Sequence, residues 1–332
     1  MTKESISSAP GRVCFAGEDI DWISGPSILC AVDLRTEVKV KSNKDNSFIL
    51  TTQGSLNSEL KLASEEIGIY SHSVLDFTNA AIKIVKDLKI KLSPIEISIT
   101  STLPAKAGLG SSATILVASI SSISKYYGLN LDIDTVCSLA YKAESEELKT
   151  GAGQMDMYSS GFGGLIYINS STIPPKDIAR FVLPEDFDIV IADTLTPRNT
   201  SDVIRKKRLR YQTKEPKIMK YVDTTEIAIQ EMKEVLSNNP INMERLGILI
   251  NKCHNSLRDH MCVSTSNVEN GIITSLKNGA IGAKLTGTGM GGCFFAIVPH
   301  NKTERLINSL KDMPLKVYVT KPSGKGLIID NI

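Results

Sequence analysis

Pro104-Ala-Lys-Ala-Gly-Leu-Gly-Ser-Ser-Ala113 joins a strand pattern to a helix pattern. Before it, Ile95-Glu-Ile-Ser-Ile-Thr-Ser101 alternates apolar and polar residues, the period of a half-buried strand. After it, Ile115, Leu116, Ile120 and Ile123 recur at helical spacing as far as Tyr127-Gly128. A helix opening on Ser111-Ser112 behind a glycine turn presents free backbone N–H groups at its positive end, which is where anions and above all phosphates bind. No Gly-Lys-Ser/Thr closes the loop, so it is not a Walker A motif. The same residues also read as a plain N-cap whose serines satisfy orphan donors.

Three further stretches carry candidate chemistry. In Pro10-Gly-Arg-Val-Cys-Phe-Ala-Gly-Glu-Asp-Ile-Asp21, an apolar strand ends in a glycine and three carboxylates, Glu18, Asp19 and Asp21. Clustered carboxylates repel unless cations or hydroxyl groups engage them, and a polyhydroxylated ligand supplies such donors. The bland alternative is a solvated acidic turn. In Ala143-Glu-Ser-Glu-Glu-Leu-Lys-Thr-Gly-Ala-Gly-Gln-Met-Asp-Met157, Glu144 lies near a helix end and Asp156 follows a glycine-rich break. One carboxylate suits Mg²⁺ and the other suits orienting or deprotonating a hydroxyl; alternatively, Asp156 merely decorates a short helix. Glu146 and Glu147 read as solvent-facing. Thr286-Gly-Thr-Gly-Met-Gly-Gly292 looks like a dinucleotide fingerprint but runs into the strand Cys293-Phe-Phe-Ala-Ile-Val298. A Rossmann turn requires a helix there, so a glycine hairpin closing over a ligand, or packing under the phosphate loop, fits better.

With 332 residues, the chain exceeds one typical core and is expected to form two lobes, 1–180 and 181–332. Pro174-Pro175 marks a turn or soft boundary. Strands are expected over 12–17, 36–42, 165–168 and 187–193, with one or two more within 43–70. Helices are expected over 73–88, 132–147, 154–161, 217–237, 242–258, 266–277 and 302–311, and a strand pair closes the chain. This mixture, without regular βαβ alternation, reads as α+β. A net charge of +2 excludes any global pull toward nucleic acid. The basic run Arg198-Asn-Thr-Ser-Asp-Val-Ile-Arg-Lys-Lys-Arg-Leu-Arg-Tyr211 therefore reads as a solvated helix face, with polyphosphate binding as the alternative. His254 and His260 read as packing or capping residues. The six cysteines lack paired spacing and read as reduced residues of a cytoplasmic protein. No hydrophobic signal core or membrane span is visible.

The three glycine-containing stretches, in this order and separation, resemble the GHMP kinases, and the resemblance runs from Ala9 to the closing strands. Pro10-Gly-Arg12 followed by Gly17-Glu-x-x-Asp21 is similar to the galactokinase branch, as are Ala143-Glu-x-Glu with Gly153-x-Met-Asp156, and His254-x-Ser-Leu-Arg-Asp259. Leu285-Thr-Gly-x-Gly-x-Gly-Gly and the 242–265 region also resemble archaeal mevalonate kinases. Asp19 departs from both branches, which usually carry histidine there.

The resemblance implies a ribosomal protein S5 domain 2-like N-terminal lobe with a left-handed βαβ crossover and a ferredoxin-like C-terminal lobe. ATP would lie in the cleft between them. Pro104, Gly108, Leu109, Gly110, Ser111, Ser112 and Ala113 would cradle its phosphates, and Ser112 and Glu144 would hold Mg²⁺. Asp156 would take or orient the acceptor hydroxyl, with Arg12 steadying the developing negative charge. Glu18, Asp19, Asp21, Gly153 and Asp156 would face the substrate. The expected acceptor is a sugar or polyol hydroxyl, with the anomeric hydroxyl among the candidates, because like charges at the three acids disfavour a carboxylate-bearing substrate. Mevalonate or phosphomevalonate is the alternative, and a non-catalytic ATP/sugar sensor the second. A homodimer is compatible with the resemblance; nucleic-acid and membrane partners are not expected.

Overall fold

The structure is a computed structural model that describes residues 3–53, 57–105, 107–196 and 200–330. Lys106 of the serine–glycine loop and Arg198 and Asn199 of the basic run lie outside the described residues.

The first lobe is built on two long strands, β1 (Glu4–Ala16) and β2 (Pro26–Ser42). They are followed by β3 (Phe48–Gln53), β4 (Ser58–Leu62), helix α1 (Asp76–Asp87) and β5 (Ile95–Ser101). Helices α2 (Ser111–Tyr126), α3 (Ile133–Lys142) and α4 (Met155–Phe162) precede β6 (Leu165–Asn169) and β7 (Ile178–Phe181). In β2, Val38 and Val40 are buried while Glu37 is exposed, the period-2 alternation of a strand with one packed face. Its length lets it pair antiparallel with β1, with β5 at one end (Val38 with Ile99) and with β6 at the other (Leu29 with Ile166). Strand β3 lies parallel to β5.

The second lobe holds β8 (Phe187–Asp193), α5 (Thr200–Gln212), α6 (Pro216–Ser237), α7 (Met243–Ser256) and α8 (Ser266–Lys277). After these come β9 (Gly282–Leu285), β10 (Cys293–Pro299), α9 (Thr303–Leu310), β11 (Lys316–Thr320) and β12 (Ile328–Asp330). Its sheet is antiparallel in the order β11-β8-β10-β9.

Several elements differ from the sequence expectation. Strand β1 starts well before residue 12. Its first inward positions are serines rather than apolar residues, and Ser5 and Ser7 are satisfied by Ser122 and Ser121 of α2. The helix expected over 132–147 ends at Lys142 and continues as one wide turn, Ala143–Glu147. Strand β2 begins at Pro26 rather than at residue 36. The two closing strands do not pair with each other: β11 joins β8, whereas β12 returns to the first sheet beside β1.

Strand β1 is buried on both faces. Cys14 points into the core formed with α1, α2 and α4, while Val13 and Phe15 join the core of the second lobe. The rings of Phe15 and Phe295 stack with centroids 5.4 Å apart. The core of the second lobe thus takes in residues of both lobes beneath the ends of β1 and β10, which fixes the groups above that floor relative to one another.

Candidate active site

The mouth of α2 is where the first chemistry-bearing groups meet. Gly110 takes the N-cap position with φ +76°, a left-handed conformation that glycine adopts without steric cost, and no side chain caps the helix. The N–H groups of the first turn thus remain available to an anion. The loop is held from two sides: Arg12 N donates to Leu109 O (2.9 Å) and Cys293 N donates to Ala107 O (2.9 Å).

A register shift between Pro10 and Arg12 turns the Arg12 side chain into the site. Its guanidinium grips Asp156 as a fork, Nε to Oδ1 at 2.6 Å and Nη2 to Oδ2 at 2.7 Å, and Nη1 donates to Gly108 O at 2.5 Å. Arg12 is 3 % exposed. Burial by itself would lower its pKa, but the carboxylates of Asp156 and Glu18 outweigh burial and raise it. Asp156 lies beside the helix mouth: a Cβ built on Gly110 would stand 3.5 Å from Asp156 Oδ2. The two stretches singled out from sequence, 104–113 and 143–157, meet here.

Glu144 is aimed by the wide turn that ends α3, in which Leu148 N bonds Ala143 O and Thr150 N bonds Glu144 O; such turns recur at functional sites. Its carboxylate is buried, with the Ser112 and Thr150 side chains near enough to pull its pKa down against that burial. Burial, reinforced by Asp156, pushes its pKa up to about 7. Asp21 is likewise pushed up to about 7, first by burial and then by Asp156, although Met155 N–H donates to its Oδ2 at 3.1 Å. Gly153 packs directly on that carboxylate, since an added Cβ would sit 2.0 Å from Asp21 Oδ2. Asp21, Glu144 and Asp156 thus form one acidic cluster in which Arg12 binds only Asp156 directly.

Glu18 and Asp19 differ from the expectation of free acids. Glu18 is 1 % exposed, accepts from Gly287 N (2.7 Å) and Lys284 Nζ (3.3 Å), and lies 3.7 Å from Arg12. Burial would raise its pKa, but Lys284, Arg12 and the Gly287 N–H together lower it. Asp19 forms a buried ion pair with Lys207; burial pushes its pKa up while Lys207 pulls against it. Both charges are neutralised within the protein, so of the three acids only Asp21 is left to repel a substrate bearing a carboxylate.

The glycine hairpin between β9 and β10 packs under both loops. Thr286 Oγ1 accepts from Cys14 N (3.1 Å) and Arg12 Nη1 (3.4 Å), and Gly287 reaches Glu18. Sequence reasoning singled out the hairpin that Thr286 opens without giving Thr286 a role, and it missed Lys284 and Lys207. The signal for Lys284 was a lone lysine inside the apolar strand Gly282-Ala-Lys-Leu285. The solvated-face reading of the basic run holds for Arg205 and Lys206, which are exposed, and fails for Lys207, which is 2 % exposed. Glu147 accepts from Tyr70 Oη at 2.9 Å and is not simply solvent-facing. His254 is buried against Glu269 (3.0 Å), as expected of a packing residue. All six cysteines are free thiols and Cys262 alone is exposed. Among the described residues no helix is long and apolar enough to cross a membrane.

An uncapped helix mouth facing an arginine-held carboxylate, set above the junction of the two lobes, is an arrangement suited to phosphoryl transfer. The family models for the GHMP kinases N terminal domain and the GHMP kinases C terminal domain match residues 76–164 and 229–314. A mevalonate kinase from Thermococcus sibiricus is 31% identical over 98% of both chains, and a galactokinase from Thermosipho africanus is 26% identical over 95% of both. The solved structure of Lactococcus lactis galactokinase complexed with galactose superposes with a TM-score of 0.83 at 20% identity, covering 98% of this chain and 95% of that one. The chain belongs to the GHMP kinase family. It is a kinase whose phosphoryl acceptor is an alcohol group on a small molecule.

Proposed function

We propose that the protein transfers the γ-phosphoryl group of ATP to a hydroxyl of a sugar or sugar-like acceptor held between Asp156 and Asp21. The observation that carries this reading is the Arg12–Asp156 fork beside Gly110, which puts an oriented carboxylate at the mouth of an uncapped helix. Backbone N–H groups from Gly108 to Ala113 take the donor phosphates, with Pro104 shaping the start of the loop. Asp156 orients and accepts the hydroxyl proton, and Arg12 keeps the carboxylate in place and balances charge as it develops. Phosphoryl transfer needs little more than such positioning and charge stabilisation.

The residues present fit Mg²⁺. Ser112 and Glu144 offer hard oxygen donors side by side, and the burial-raised carboxylates of Glu144 and Asp21 next to Asp156 describe an acidic cluster that a cation relieves. Among the described residues no three acidic, His or Cys side chains form a metal cage on their own; Mg²⁺ sites built from one or two carboxylates are completed by substrate phosphates and water. When bound, the ion supplies neutralisation of phosphate charge.

Asp21 supports a polyol acceptor. Its Oδ2 is held by Met155 N–H and the carboxylate is desolvated under Gly153, a setting in which hydroxyl donors stabilise the charged form. A second reading, mevalonate as acceptor, is favoured by the 31% identity to the Thermococcus sibiricus mevalonate kinase and by the pairing of Glu18 and Asp19 with lysines. A coupled ADP-release assay over hexoses, uronic acids, mevalonate and its phosphates separates the two. Turnover with a sugar supports the first reading, and turnover confined to mevalonate compounds overturns it.

A further inference from the structure

Helix α5 is polar almost throughout, Thr-Ser-Asp-Val-Ile-Arg-Lys-Lys-Arg-Leu-Arg-Tyr-Gln, and its buried residues are Ile204 and Lys207, one helical turn apart. A surface helix normally docks through an apolar stripe. Here the docking contacts are mostly polar, and they reach three separate segments around the acceptor side. Lys207 Nζ binds Asp19 of the acid turn and donates to Thr288 O of the glycine hairpin at 2.6 Å. Arg208 donates to Gly151 O, in the loop that leads to Gly153 and Asp156. The Arg208 guanidinium carbon lies 5.2 Å from the Trp22 ring centre, and Tyr211 meets the same ring edge-on at 5.7 Å. At the far end, Arg210 forks onto Glu215 and also donates to Met261 O and His260 O, anchoring the helix within its own lobe.

We propose that Lys207 is the positioning residue of the acceptor side: by binding Asp19 and the Thr288 carbonyl together, it clasps α5 onto the acid turn and makes that helix the outer wall of the acceptor pocket. The inference rests on the proposed function in one respect, that the acid turn faces the acceptor. Three features single out Lys207. Its ammonium is almost wholly buried, so a neutral replacement strands the Asp19 carboxylate without its cation. It spans the two lobes, since Asp19 follows β1 while α5 follows β8. Asp19 itself sits at φ +59°, a left-handed conformation that asparagine and aspartate tolerate better than most residues. Because no hydrogen bond or ion pair among the described residues joins Lys207 or Asp19 to the helix mouth of α2, loss of the clasp is expected to act on the acceptor and to spare the nucleotide.

Trp22 is the single tryptophan of the chain and packs against Arg208 and Tyr211 of α5, so its emission reports whether α5 is docked. In the full-length protein, Lys207→Met is expected to red-shift Trp22 emission and increase its quenching by acrylamide. The same variant is expected to raise the acceptor KM by about tenfold or more, the loss of one charge-assisted buried contact, while the ATP KM stays close to wild type. Asp19→Asn should show the same pattern, the double variant should be no worse than either single change, and Lys207→Arg should restore much of the acceptor KM. A purely structural lysine would instead lower the active fraction and the unfolding midpoint with both KM values unchanged. Unaltered Trp22 quenching in Lys207→Met overturns the clasp, as does an equal rise in the ATP KM. Should Lys207→Met not fold, Asp19→Asn and Lys207→Arg decide the matter by the same readouts. If the wild-type protein phosphorylates none of the acceptors, the proposed function fails, and the quenching measurement still decides the clasp.

Discussion

Replacing Asp156 by asparagine keeps the side-chain volume and removes one negative charge, and the structure sets the sign and size of two separate consequences. On stability, the fork to Arg12 loses its charge assistance, although the amide oxygen still accepts from one N–H. Against that loss, both Asp21 and Glu144 are pushed up in part by Asp156, so its neutralisation relieves two buried carboxylates. Arg12 is 3 % exposed and keeps Glu18 at 3.7 Å as its remaining carboxylate, so the net loss is expected to be about 1–2 kcal/mol. Arg12→Met is different. It strips the direct cation from Asp156 and one of two cations from Glu18, which retains Lys284. Breaking a buried ion pair costs about 3–5 kcal/mol. Because the Asp156 side chain is 22 % exposed, water recovers part of this and the expected loss is about 3 kcal/mol, the low end of that range. On catalysis the order reverses for Asp156→Asn: loss of the proton-accepting group is expected to lower turnover ~10²–10⁴-fold with little change in ATP binding. Urea unfolding of the two variants and the coupled ADP-release assay measure both quantities. Asp156→Asn protein that keeps more than about a tenth of wild-type turnover, where general-base loss should exceed 10², refutes the role. So does a stability loss in that variant equal to that of Arg12→Met.

Three other outcomes follow from the same geometry. The pKa of Glu144 rises from its ordinary 4.5 to about 7 on folding, so across that window the native protein holds a proton that the unfolded chain has released. Its contribution therefore lowers stability as pH rises from about 4.5 to about 7 and is constant above; Glu144→Gln should flatten that part of the urea-midpoint profile, and a wild-type-minus-variant difference that does not change across the window contradicts the assignment. Ser112→Ala should raise the Mg²⁺ concentration needed for half-maximal activity by roughly tenfold, in line with the cost of disturbing a metal's supporting groups, and an unchanged Mg²⁺ titration removes Ser112 from the metal site. Gly153→Ala places a methyl 2.0 Å from Asp21 Oδ2, forcing that carboxylate off Met155 N–H; the acceptor KM should rise about tenfold, the worth of one hydrogen bond to a charged group. A rise in the ATP KM alone would show that Asp21 does not serve the acceptor.

What the sequence by itself determined was local. The strand, glycine turn and helix around Gly108–Ser112 follow from short-range rules, because the apolar period, the left-handed glycine and the helix start all lie within a few residues of one another. The motif order then carried the family and the two lobes. The tertiary structure alone decided which charges are used up inside the protein and which remain for ligands. Arg12 finds Asp156 144 residues away, Asp19 finds Lys207 188 residues away, and Glu18 finds Lys284 266 residues away. No periodicity encodes such pairs. They form only when β1, α5 and the β9–β10 hairpin converge above a common core, and the low dielectric there makes an unpaired charge too costly to leave alone. For the same reason Lys207, indistinguishable in the chain from the exposed Lys206 beside it, is buried by a difference of 100° around one helix.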